Sequence, residues 1–228
     1  MFSARYSTLA LPFTIPLQMT LLIYGAGGLG REVLAALQIS GVDVAGFVVD
    51  PGFSDGEIKG FRVRASVLEA SLSRTARFVL AVGDGRARQQ AALSLGAETE
   101  FVTVRHPAAL VGPGVSIGVG AMLIGPINIT TDVAVGAHTL INPGCTIAHD
   151  CVLEDFVNLG PSCSLAGRVT VREGANLGVG VSVAPGVVIG AWSTVGAGAV
   201  VIRDVEPGAT VAGVPARVIR RSGHQSST

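Results

Sequence analysis

The sequence predicts a small Rossmann-like α/β domain followed by a parallel β-helix built from hexapeptide repeats. Two patterns carry that prediction. A strand, a glycine loop and a helix follow one another from Leu21, and an aliphatic residue then recurs at every sixth position from Val111 to Val201. Composition agrees with both: 31 of 228 residues are Gly and only 5% are aromatic, so the interior is narrow and filled by small and β-branched side chains.

Charge narrows the function classes. Lys+Arg and Asp+Glu are 16 each and charged residues make up 14%, which gives no electrostatic footprint for nucleic acid. Apolar residues, 49% of the chain, are spread along its length, against extended disorder. The uncharged stretch between Glu173 and Arg203 is long enough to span a bilayer, but Gly, Pro185, Ser and Asn176 interrupt it with the six-residue period, so it reads as soluble repeat. Three cysteines with no Cys-x-x-Cys spacing support neither a disulfide framework nor a zinc ribbon, and a cytoplasmic location fits them best.

Residues 1–18 resemble a weak secretory signal, but two prolines and the lack of a cleavage site argue for a non-native or disordered extension, with Met19 as the natural start. The α/β domain is expected over 19–105. Leu21 to Tyr24 forms a buried strand, Gly25-Ala-Gly-Gly-Leu-Gly30 the turn, and Arg31 to Ile39 a helix. Gly25, Gly27 and Gly28 let the backbone turn and approach a phosphate, while free N–H groups of the helix face the anion. A second strand, Val44 to Val49, ends in Asp50, twenty residues past Gly30, where an acid meets a ribose or base. A third, Phe78 to Val82, runs into Gly83, Asp84 and a helix carrying Arg88, all expected to line a nucleotide-containing ligand. Nicotinamide chemistry is disfavoured, because the second mononucleotide half is missing.

The repeat runs unbroken: Val111, Ile117, Leu123, Ile129, Val135, Ile141, Ile147, Leu153, Leu159, Leu165, Val171, Leu177, Val183, Ile189, Val195 and Val201. Three six-residue faces make an eighteen-residue coil, and coils stack at strand spacing of about 4.8 Å. Residues 111 to 201 thus make five coils, within a domain expected over 106–205 and closed by a cap and tail over 206–228. Cys145, Cys151 and Cys163 share one small inward position and read as core fillers. Of four histidines, His224 lies in the polar tail and His106 ahead of the repeat; His138 and His149 occupy different hexad positions with no third partner, which argues against a metal. His149 beside Asp150 suits a general base, and Gly167, one coil along at the same corner, places a backbone N–H beside the imidazole.

In this pattern the chain resembles the NeuD/PglD-type sugar acyltransferases over nearly all of residues 20–220. The resemblance implies a left-handed β-helix, acetyl-CoA as co-substrate without a metal, a nucleotide-linked amino sugar as acceptor and a homotrimer with the thioester channel between neighbouring helices. It implies His149 as base, Asp150 as its acidic neighbour, Gly167 as donor to the thioester oxygen, and Asn142 and Asn158 near the acceptor. Gly178, Val179, Gly196, Ala197, Pro215 and Arg217, the last two within Gly213-Val-Pro-Ala-Arg217, are implied to contact coenzyme A, with Arg220 and Arg221 near its phosphates. Two departures stand out: Asn158 where many members have a second histidine, and Leu29 where the glycine loop often continues with histidine. The expected reaction is N-acetylation of a nucleotide-activated amino sugar. The alternatives are O-acetylation of a sugar of the sialic-acid type and a binding or scaffold protein without catalysis. Which base, which sugar and which acyl chain length are not written in the sequence.

Overall fold

The computed structural model describes residues 20–50, 52–53, 56–64 and 76–220. The expected extension at 1–18, and Arg221 and His224 in the tail, lie outside them. The first unit is a six-stranded sheet of β1 (Thr20–Tyr24), β2 (Gly46–Val48), β3 (Gly56–Ile58), β4 (Phe61–Arg64), β5 (Ala76–Leu80) and β6 (Glu100–Phe101), in the order β3-β4-β2-β1-β5-β6. Only the β3–β4 hairpin is antiparallel. Helix α1 (Gly28–Ile39) follows β1, and α2 (Gly85–Leu95) follows β5. The expected strands are present, and β3, β4 and β6 are additional. Each is four residues or fewer, too short for period-two alternation to declare itself.

From Val104 onward the chain winds into a parallel β-solenoid with three faces. Face one runs from Val104–Arg105 through Leu140–Ile141 and Asn158–Leu159 to Thr210–Ala212, face two from Ala109–Val111 to Val200–Val201, and face three from Ser116–Ile117 to Val188–Ile189. Strand partners are 18 residues apart, as Leu140 with Asn158 and Ile147 with Leu165. The coils extend beyond the expected 111–201: Val104 pairs with Met122 below, and Thr210 pairs with Thr194 above. The end coils escape sequence reading because a terminal rung packs on one side only and keeps less of the pattern. Arg217–Arg220 turns back antiparallel on Thr210–Ala212 and closes face one.

The predicted inward column is the core. Leu123, Ile141, Ile147, Leu159, Val171, Leu177 and Ile189 are fully buried, as are Cys145, Cys151 and Cys163, which are free thiols donating to carbonyls of the next coil. From Gly114 to Gly198 every sixth residue except Pro126 has a left-handed backbone. That position turns each corner. Glycine takes it without cost, while Asp132, His138, Asp150, Phe156, Ser162, Arg168 and Trp192 adopt it with side chains.

The outward row of face one explains how the two units meet. Val104, Met122 and Leu140 are apolar and buried against Val33, Leu34 and Leu37 of α1 in one continuous core, and the row turns polar at Asn158 and Asn176, beyond the reach of α1. On the edge between faces three and one, the corner residues His138, Phe156, Gly174 and Trp192 form a column that receives α2. His138 stacks on Phe156 at 5.2 Å and meets the edge of Phe101 at 4.7 Å, and Arg86 lies 4.3 Å over Trp192. A side chain on Gly174 has no room, because its Cβ would lie 2.2 Å from the Trp192 ring.

Candidate active site

Two places carry the predicted chemistry. At the edge between faces two and three, Thr146–Ile147 ends and the chain turns through Ala148, His149 and Asp150. The left-handed backbone of Asp150 swings its carboxylate back onto the preceding ring, and His149 Nδ1–H donates to Asp150 Oδ2 at 2.7 Å. This leaves Nε2 as the free lone pair, with both side chains about half exposed. One coil along, Gly167 lies against the imidazole. A Cβ built there would stand 2.6 Å from both Cε1 and Nε2, so only glycine admits the ring at this place. Among the described residues no acceptor takes the Gly167 N–H, while the next residue, Arg168, donates its own to His149 O at 2.9 Å. The corner therefore sets a base and an unspent backbone donor side by side, the pair that proton removal and oxyanion stabilisation need.

The second place is a cleft of about 510 Å³ at the C-terminal ends of β1, β2 and β5. Gly25, Ala26 and Gly27 form one wall, Val49 and Asp50 the floor, Ala81 and Val82 a side, and Gly56, Glu57 and Ile58 of the hairpin the far wall, with Phe53 at the lip. Gly27 precedes α1 and caps it with no side chain, so the first-turn N–H groups are open to an anion. Tyr24 donates its hydroxyl to Asp50 Oδ1. Burial first, and then that hydrogen bond, push the Tyr24 hydroxyl well above its ordinary range, so it stays a donor. Gly30 packs where a Cβ would meet Gly25 O at 2.2 Å, which holds the loop tight.

One predicted ligand contact is corrected. Arg88 is fully buried and lies outside the cleft wall, its guanidinium spent on backbone carbonyls. Its Nε donates to His138 O at 2.8 Å, Nη1 to Val82 O at 2.6 Å and Gly83 O at 3.2 Å, and Nη2 to Phe156 O at 3.0 Å and Val157 O at 3.3 Å. Burial lowers its pKa to about 10. The guanidinium joins α2 to the solenoid, because four of these carbonyls, His138, Val82, Gly83 and Phe156, have no backbone N–H partner among the described residues, while Val157 O also accepts from Leu140 N at 2.8 Å. Gly83 and Asp84 belong to the same junction and are absent from the cleft wall: Asp84 caps α2 by accepting from Ala87 N at 2.8 Å. His138, dismissed as a ligand from its spacing, is buried beside them, with an unpartnered Nδ1 and a pKa lowered to about 4 by burial and then by Arg88. The sequence carried a signal for this junction: His138, Phe156 and Trp192 are the corner slots that hold a ring, where the others hold Gly, Asp, Ser, Arg or Pro.

The remaining site residues fall on other edges. Asn142, Gly178, Val179, Gly196 and Ala197 lie along the edge between faces one and two, where a Cβ on Gly178 would stand 2.7 Å from Ala197 N and one on Gly196 2.9 Å from Ala212 Cβ. The edge is lined by glycine backbone and small side chains, with Val179 exposed on it. Asn142 donates to Leu159 O, and Asn158, on face one, donates to Asn176 Oδ1 while its own Oδ1 is buried without a partner. Pro215 and the exposed Arg217 follow Gly213, which accepts from Val200 N at the closing end. Among the described residues no group of three His, Cys, Asp or Glu converges on a metal position, and no helix is long and apolar enough to cross a membrane.

Comparison with known proteins gives this arrangement relatives. Residues 20–95 match the PglD N-terminal domain. GDP-perosamine N-acetyltransferase of Escherichia coli O157:H7 is 32% identical over 143 residues, 59% of this chain; the match spans 64% of that curated protein. GDP-perosamine N-acetyltransferase from Caulobacter crescentus, solved with a histidine replaced by alanine in complex with CoA and GDP-perosamine, is 36% identical, with a TM-score of 0.83 over 89% of this chain and 97% of that one. The acetyltransferase domain of PglB from Neisseria gonorrhoeae FA1090, in complex with acetyl coenzyme A, is 30% identical, with a TM-score of 0.81 over 89% of this chain and 100% of that one.

Proposed function

The chain belongs to the hexapeptide-repeat sugar acetyltransferases that carry a PglD-type N-terminal domain, and from that membership we propose that it N-acetylates a nucleotide-linked amino sugar of the GDP-perosamine kind, with acetyl-CoA as donor. The observation that carries this reading is the corner at His149, where a carboxylate-held imidazole faces an unspent backbone N–H across a glycine. The sugar amine attacks the thioester carbonyl while His149 Nε2 takes its proton. Asp150 keeps the proton on Nδ1 and stabilises the imidazolium. The Gly167 N–H donates to the oxyanion of the tetrahedral intermediate, which collapses as the C–S bond breaks and CoA thiolate leaves.

The nucleotide sits in the cleft, its phosphates at the N-terminus of α1 against Gly25, Gly27 and Gly28, and its ribose near Asp50. In a triangular coil the edge carrying His149 lies opposite face one, on which the N-terminal unit rests. The cleft and the base of one copy therefore serve different sites, and the complete site is formed between copies, in a homotrimer. Coenzyme A lies along the edge of Gly178, Val179, Gly196 and Ala197, with Pro215 and Arg217 at its end. No protein group in the scheme calls for a metal.

The test is CoA release, followed by mass spectrometry, from acetyl-CoA with UDP-, GDP- and dTDP-linked 4-amino sugars and their hydroxyl counterparts. Turnover of an amino sugar that falls by orders of magnitude in His149→Ala supports the reading. Turnover of hydroxyl sugars alone replaces it with O-acetylation, and silence across the panel with a binding role.

A further inference from the structure

The cleft has a second carboxylate with no task in that scheme. Asp50 is engaged by Tyr24, but Glu57, on the far wall, has no hydrogen bond or ion pair among the described residues, even though Arg62 stands directly across the hairpin in register. Its position along the cleft is set by the sheet. The phosphate loop follows β1, Asp50 follows β2, and Glu57 is on β3, in the spatial order β1-β2-β4-β3. Three strand spacings separate the loop from Glu57, about 14 Å. A diphosphate anchored at α1 with its ribose by Asp50 thus brings its base to the hairpin. There the walls are apolar, with Ile58 and Val63, and the Phe53 ring, largely exposed, stands at the lip where a base plane can stack.

We propose that Glu57 selects the base of the nucleotide sugar, and that the base it selects is guanine. The proposal rests on the nucleotide-sugar reading above. An ionised carboxylate accepts only, and its two oxygens match two adjacent donors. Guanine presents such a pair on one edge, N1–H and the N2 amino group. Uracil and thymine present a single N3–H between two carbonyls, which repel a carboxylate, and adenine places an acceptor at N1. The selection therefore includes rejection of pyrimidines as well as attraction of guanine.

The experiment is calorimetric binding of GDP, UDP, dTDP and ADP to the full chain and to Glu57→Gln, with melting temperatures recorded for both. GDP is expected to bind the unsubstituted protein at least about 10-fold more tightly than the other three, the discrimination of one bidentate pair. Glu57→Gln is expected to weaken GDP about 10-fold, to narrow the GDP-to-UDP ratio towards unity and to leave the melting temperature unchanged, since Glu57 is exposed. Equal binding of GDP and UDP by the unsubstituted protein overturns the proposal. A GDP preference that survives Glu57→Gln overturns the role of Glu57 and leaves the function standing, whereas no binding of any nucleotide overturns both.

Discussion

Replacing Gly167 by Ala tests the corner geometry with one methyl group. The backbone there is outside the left-handed region, so alanine is conformationally permitted, and the only obstacle is the imidazole 2.6 Å from the new Cβ. Ordinary contact between such atoms begins near 3.5 Å, so the ring must move by about 1 Å. It is half exposed and swings outward at a cost of about 0.5–1.5 kcal/mol, the price of an off-rotamer side chain. Stability therefore falls little. Catalysis falls more, because Nε2 leaves the place beside the N–H, and a misplaced donor or base costs about 10²-fold in kcat, or about 2.7 kcal/mol. The assay is thiol release from acetyl-CoA under saturating amino sugar, together with the melting temperature. The same substitution in His149→Ala is expected to cost far less, since the methyl group then meets no ring. A kcat within twofold of the unsubstituted enzyme, or equal losses in both backgrounds, refutes the argument.

Two further predictions concern the junction. Arg88→Met strips four carbonyls of their donors, and urea unfolding is expected to show a loss of about 3–5 kcal/mol, the range for breaking a buried charged network; a loss under 1 kcal/mol would show that the carbonyls find other partners. His138 titrates in the unfolded chain near 6.5 and in the folded one near 4, so the unfolded state binds the extra proton between them. Its contribution is full above pH 6.5 and is lost as pH falls towards 4, about 3 kcal/mol in all. His138→Asn, which keeps a residue tolerant of the left-handed corner, should flatten the stability profile across that window, and an unchanged slope in chemical denaturation would count against it.

The repeat, the inward column, the three core cysteines and the pairing of His149 with Asp150 and Gly167 were legible in the sequence because each depends only on periods of six and eighteen. A residue's register in such a coil settles whether it faces in, out or along an edge, and which residue lies above it, without reference to any other part of the chain. The glycine loop and Asp50 were legible for a similar reason, since a tight turn between strand and helix is a local demand on the backbone. What register cannot convey is which outward face another unit covers. Arg88, Gly83 and Asp84 read as ligand contacts from their place after a strand, yet docking turned that helix end onto the column of His138, Phe156 and Trp192, where Arg88 is buried and Gly83 and Asp84 stay exposed outside the cleft. Glu57 drew no notice because only the pairing of β3 with β4 brings it across the cleft from Gly27. The separation of the cleft from His149 likewise follows from which face carries the first unit. Periodicity determined the solenoid and its corners; the docking of two units, driven by the apolar row Val104, Met122 and Leu140, decided which polar groups were left to meet a ligand.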